Sequence, residues 1–109
     1  MPTTYKVLGQ SNPSATTATA LYTVPSTTQA VVSTITVCNQ AAAAATYRVA
    51  VRPDGAVLAA QHYVVYDASL PANATDTLTL GITLGDTDVI TVYASTATMS
   101  FSAFGSELS

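Results

Sequence analysis

Gln29 to Asn39 reads Gln-Ala-Val-Val-Ser-Thr-Ile-Thr-Val-Cys-Asn, and this run decides the fold. Nearly every residue is β-branched or small, and stiff side chains of that kind favour an extended backbone over a helix. Val31, Ser33, Ile35 and Val37 occupy one set of alternate positions. Ala30, Val32, Thr34, Thr36 and Cys38 occupy the other. Apolar groups on both faces predict a central strand covered on each side. Pro25-Ser26 marks its start and the alanine run Ala41 to Ala45 marks its end. Five alanines are too few to nucleate a helix alone, so they read as a turn.

Shorter strands are predicted on both sides of it. Tyr5 to Leu8 reads as a short edge strand or an arm, and Gly9 to Thr19 as a Ser/Thr/Asn-rich loop ordered by a partner. Ala20 to Val24 is a strand with Leu21 and Tyr22 on opposite faces. Thr46 to Arg52 alternates, with Tyr47, Val49 and Val51 inward and Arg48 and Arg52 outward. Pro53-Asp54-Gly55 is a turn, and Ala56 to Gln61 a connection. His62 to Asp67, Thr77 to Leu84, Val89 to Ala94 and Met99 to Phe104 complete the set. In the second of these, Leu78, Leu80, Ile82 and Leu84 are expected to point inward. Seven or eight short strands at a spacing of about ten residues predict an all-β antiparallel sandwich, Ig-like or jelly-roll. Residues 1–109 make one such domain, with 1–19 read as an extended N-terminal arm.

Charged residues are 8% of the chain, against about 25% in typical soluble domains. A surface of Thr, Ser and Ala suits burial against neighbours in an assembly. Lys6, Arg48 and Arg52 are the only cations and the net charge is −3, which excludes the cationic cluster that nucleic acid requires. No apolar run approaches the length of a membrane span, and residues 1–20 lack the pattern of a secretory signal. Cys38 is the single cysteine and reads as a small buried hydrophobe.

Catalytic and metal patterns are missing. His62 is the one histidine, and Asp67, five residues on in a regular strand, would face away from it. One Cys and one His do not make a zinc site. Asp86 and Asp88 resemble a fragment of a calcium loop without its remaining ligands. Four of the six acidic residues (Asp54, Asp76, Asp86, Asp88) fall at turns or strand starts rather than as a facing glycosidase pair. The five glycines are scattered, so no phosphate-cradling loop is present. No catalytic, cofactor or metal residue is therefore assigned. Asn73-Ala74-Thr75 fits the glycosylation pattern by composition alone. Most aromatic residues alternate with apolar ones and read as core or interface; Tyr66, beside Asp67, is a candidate for a hydroxyl needing a partner.

In order along the chain, Tyr5-Lys6-Val7-Leu8-Gly9-Gln10, Leu21-Tyr22-Thr23-Val24-Pro25, Val31 to Asn39 and Arg48-Val49-Ala50-Val51 resemble segments of small virion proteins of tailed phages, cyanophages among them. His62-Tyr63 with Tyr66-Asp67, Leu80-Gly81-Ile82-Thr83-Leu84, Val92-Tyr93-Ala94-Ser95 and Ser100 to Glu107 continue the likeness. The resemblance covers almost the whole chain, and order and spacing carry it rather than any one motif. It implies a non-enzymatic virion structural protein, in the first place a capsid cement or decoration protein. Such a protein sits on the outer capsid surface as a trimer and binds the major capsid protein. A tail, baseplate or fibre module of the same virion is the alternative, and a carbohydrate-binding module, which needs an exposed aromatic platform, is the second. Arg48 and Arg52 share a polar strand face and read as solvated side chains or as partners of capsid carboxylates.

Overall fold

The computed structural model describes residues 3–109. Among the described residues nine strands are present: β1 Thr3–Ser11, β2 Thr19–Thr23, β3 Gln29–Asn39, β4 Ala45–Arg52, β5 Tyr63–Leu70, β6 Thr75–Leu78, β7 Ile82–Leu84, β8 Val89–Ala94 and β9 Met99–Leu108. One sheet has the order β1-β9-β3-β6, with β7 also paired to β3; the other has the order β2-β8-β4-β5. All pairings are antiparallel. The links β1–β2, β3–β4, β5–β6 and β8–β9 each pass from one sheet to the other. With β6 and β7 counted as one interrupted strand, this is the strand order of a jelly roll. That decides between the two topologies the strand count left open.

The core lies between the inner faces. Val32, Ile35, Val37 and Phe101 come from one sheet and Tyr47, Val49, Ile90 and Val92 from the other. Tyr47 and Phe101 meet edge to face across the gap, with centroids 6.1 Å apart. β3 is central, as the opening stretch predicts, but it is covered on one face only. A bulge explains the difference. Val32 pairs with Gly105 and Thr34 with Phe104, so Ser33 is an extra residue. The inward set switches there from Ala30 and Val32 to Ile35, Val37 and Asn39. A strict two-residue period cannot register that switch. A second bulge, at Leu21, buries both Leu21 and Tyr22, which simple alternation assigns to opposite faces.

One open reading is decided and two further expectations are corrected. Tyr5 to Leu8 is the edge strand rather than an arm, and it is longer than expected: Thr3–Ser11 pairs with β9 along its length, because β9 runs on to Leu108 and offers a full ladder. Met1 and Pro2, the start of the expected arm, lie outside the described residues. The following loop packs on its own domain. Asn12 Nδ2 donates to the carbonyls of Ala97 (3.1 Å) and Met99 (2.6 Å), and the Thr16 N–H donates to the Ala94 carbonyl (2.8 Å). The single strand expected over Thr77 to Leu84 is broken between β6 and β7. Gly81 has φ 63° there, and Leu80 is 48% exposed rather than inward.

The Ser26-Thr27 turn between β2 and β3 holds a β-branched residue at φ 57°. That left-handed region costs an L-residue about 1–2 kcal/mol. Thr27 is exposed, and its hydroxyl reaches only the neighbouring Ser26 carbonyl, at 2.6 Å. Thr27→Gly is therefore expected to raise stability by about 0.5–1 kcal/mol, read as a higher thermal midpoint.

Candidate functional site

Both outer sheet faces carry features that core packing does not explain. On the β1-β9-β3 face, Tyr5, Ser106 and Val31 stand in register across the three strands, with Val7 opposite Phe104 in the next row. Tyr5 is 83% exposed and Val31 39%. Gly105 and Ser106 supply a low floor between these side chains, which leaves a groove of about 570 Å³. The Leu8 bulge in β1 falls opposite Phe104-Ala103 of β9 and the Ser33 bulge in β3 opposite Gly105-Phe104, so both adjoin Phe104. Beside the groove runs the outer edge of β1, whose one ladder partner among the described residues is β9; its Gly9 end lies against the β2 backbone at Leu21, and the stretch before it is open. That edge holds nine residues, no proline and one charge, Lys6.

Sheet-to-sheet contacts hold this region in place. Lys6 Nζ lies 3.0 Å from Glu107 Oε1. The Tyr22 hydroxyl, from the other sheet, donates to Glu107 Oε2. These two hydrogen bonds hold the Glu107 carboxyl below the ordinary glutamate range, with partial burial opposing them. Burial and the adjacent carboxylate push the Tyr22 hydroxyl well above the usual tyrosine value. A depressed carboxylate stabilises the fold fully above the unfolded value, about 4.3 for glutamate, and that stability is lost as pH falls through the lower folded value. Thermal melts from pH 7 to pH 3 should show wild type losing more stability below that point than Glu107→Gln. On the other flank the Tyr47 hydroxyl donates to Asp76 Oδ2 at 2.8 Å, a second latch between the sheets.

On the β4-β5-β8 face, Arg48 is stacked among tyrosines. Its guanidinium carbon is 4.3 Å from the Tyr66 ring centre and 4.2 Å from that of Tyr93. Nε and Nη2 donate to the two carboxylate oxygens of Asp67, at 2.7 and 3.3 Å. A bulge makes this possible. Tyr47 pairs with Ala68 and Val49 with Val65, so Tyr66 and Asp67 both oppose Arg48. Asp67 takes φ 51°, and two consecutive side chains reach the same guanidinium. Tyr63 stands edge-on to Tyr66, with centroids 5.0 Å apart.

The residues weighed for chemistry fall apart in space. His62 is buried, and its Nδ1 accepts the Ala59 N–H at 3.0 Å, while Asp67 is taken by Arg48. Asp88 accepts the backbone N–H groups of Asp54 and Gly85, both at 2.8 Å, which is turn closure. Among the described residues no group of three or more His, Cys, Asp or Glu side chains stands together. Cys38 is half-buried rather than buried. Arg48 and Arg52 are half-buried and each has partners within the domain: Arg48 has Asp67, and Arg52 donates to Thr91 Oγ1 (2.9 Å) and to the Ala56 carbonyl (3.1 Å). Tyr66 does become a special aromatic, although through its ring rather than its hydroxyl. The tyrosine hydroxyls with carboxylate partners are those of Tyr22 and Tyr47, whose partners Glu107 and Asp76 lie 85 and 29 residues away in sequence. No family model matches the chain, and no curated protein or solved structure matches it either.

Proposed function

We propose that the chain is a non-enzymatic virion structural protein, a capsid cement protein that sits on the outer head surface of a tailed phage as a trimer and binds the major capsid protein. The observation that carries this reading is the apolar groove of Tyr5, Val7, Val31 and Phe104 beside the outer edge of β1. A long, nearly uncharged edge is a template for pairing with another chain. An exposed apolar groove next to it supplies area to bury. Few charges surround it, so association buries few ions, which is costly when they are unpaired. The jelly roll is an architecture of viral capsid domains, and on its own it assigns no function. The order and spacing of the segments that resemble phage virion proteins supply the rest. Repetition gives such contacts their strength, because one trimer grips several capsid subunits at once.

Sedimentation velocity tests the assembly. Wild type is expected as a trimer, and Val31→Lys, which places a charge on the groove wall without touching the core, as a folded monomer. A wild-type monomer that also fails to bind phage heads contradicts the reading.

A further inference from the structure

The other sheet holds a built aromatic site remote from the apolar groove. Tyr66 is 60% exposed although its ring also stacks on Arg48. Together with Tyr63, edge-on to it, and with Leu58, Ala59 and Ala60, it bounds an open cleft of about 650 Å³. That volume is in the range of small-ligand sites. The site is rigid for a surface feature. Arg48 is clamped by Asp67 and by rings on both sides, so the Tyr66 ring is held before any ligand arrives. Pre-organisation of this kind lowers the cost of binding.

From this constellation we infer that the Tyr63–Tyr66 cleft, next to the Arg48–Asp67 pair on which Tyr66 stacks, binds a neutral carbohydrate. A largely exposed aromatic ring next to a hydrogen-bonded ion pair matches the mixed surface of a sugar, whose C–H groups lie against aromatic carbon while its hydroxyls both donate and accept. Asp67 keeps carboxylate lone pairs beyond the two it gives to Arg48, and the guanidinium keeps N–H groups beyond Nε and one Nη2 bond. The cationic and anionic charges of the pair offset each other, and the cleft residues Leu58, Ala59, Ala60, Tyr63 and Tyr66 carry none. A phosphate, a sialylated chain or a polycation therefore finds no unmatched charge. A proline-rich peptide suits it less well, since the two rings stand 83° apart and do not form parallel ridges. The site lies on the sheet opposite the apolar groove, so its occupant and a capsid lattice do not compete.

The test is a printed array of neutral oligosaccharides, with sialylated and sulfated glycans and a proline-rich peptide as further probes. The strongest neutral glycan is then titrated in solution against wild type, Tyr66→Ala and Leu80→Ala. Circular dichroism confirms that each variant is folded; Tyr66 is exposed, so its removal spares the core. The expected result is saturable binding of a neutral glycan, weakened about tenfold or more by Tyr66→Ala. Leu80→Ala, which removes an exposed apolar side chain on the other sheet, leaves it unchanged. Absence of binding to every neutral glycan overturns the inference. So does exclusive binding of charged glycans or of the proline-rich peptide, or equal affinity in Tyr66→Ala.

Discussion

Asn39→Asp is expected to destabilise the fold by about 4 kcal/mol or to prevent folding. Asn39 is fully buried at the end of β3. Its Nδ2 group donates to the carbonyls of Ala43, Leu70 and Pro71, at 3.0, 3.2 and 3.2 Å. Its Oδ1 accepts the Ala41 N–H at 3.1 Å and lies 3.4 Å from the Thr98 hydroxyl. One amide thus ties three chain reversals together at the same end of the sandwich: β3 to β4, β5 to β6, and β8 to β9. Each orphaned buried acceptor costs about 1–3 kcal/mol. An aspartate would aim acceptor oxygens at carbonyl oxygens and add a buried charge. Asn39→Ala removes the charge problem and keeps the orphans, so about 3 kcal/mol is expected there. Urea denaturation of the three proteins checks the order wild type, Ala, Asp. A loss under 1 kcal/mol for Asn39→Asp would show that the network contributes little.

Gly105→Ala is the second large effect, about 3 kcal/mol, at the upper end of overpacking costs because the obstacle is main chain. A Cβ at Gly105 would collide with the Val31 carbonyl oxygen of the adjacent strand. Gly105 lies in the ladder between Lys6 of β1 and Val32 of β3, next to the Ser33 bulge, so neither neighbour can withdraw without breaking pairing. Glycine in a strand often marks such a close approach. Gly81→Ala is the control. Gly81 has φ 63° but nothing within reach of a new Cβ, so only the left-handed strain of about 1–2 kcal/mol is expected. Equal midpoints in urea for the two variants would rule out the steric origin. Gly105 also lines the apolar groove, so the urea comparison is made under conditions where both variants have the same oligomeric state.

The strand framework was legible because β-branched residues and turn signals agree over most of the chain. β3 and β8 fall on the predicted bounds, and β4 differs by one residue. What escaped was of one physical kind. Bulges at Leu8, Leu21, Ser33 and Tyr66-Asp67 shift the alternation by one, and no local composition marks them. Gly105-Ser106-Glu107 reads as a tail because its strand character comes from two neighbours, β1 and β3, far away in sequence. The groove and the tyrosine site were invisible for the same reason. Tyr5, Val31 and Phe104 meet only through sheet register, and Arg48 meets Tyr66 and Asp67 only because a bulge turns both toward it. Tyr66 and Asp67 could be singled out from the sequence; their partner could not.

The proposed virion role stands or falls on attachment to heads. Purified protein would be mixed with isolated heads and, separately, with isolated tails of tailed phages, then sedimented. Saturable binding to expanded heads at hundreds of copies, with none to tails, is the predicted result. Binding to tails alone, or to neither particle, would contradict it.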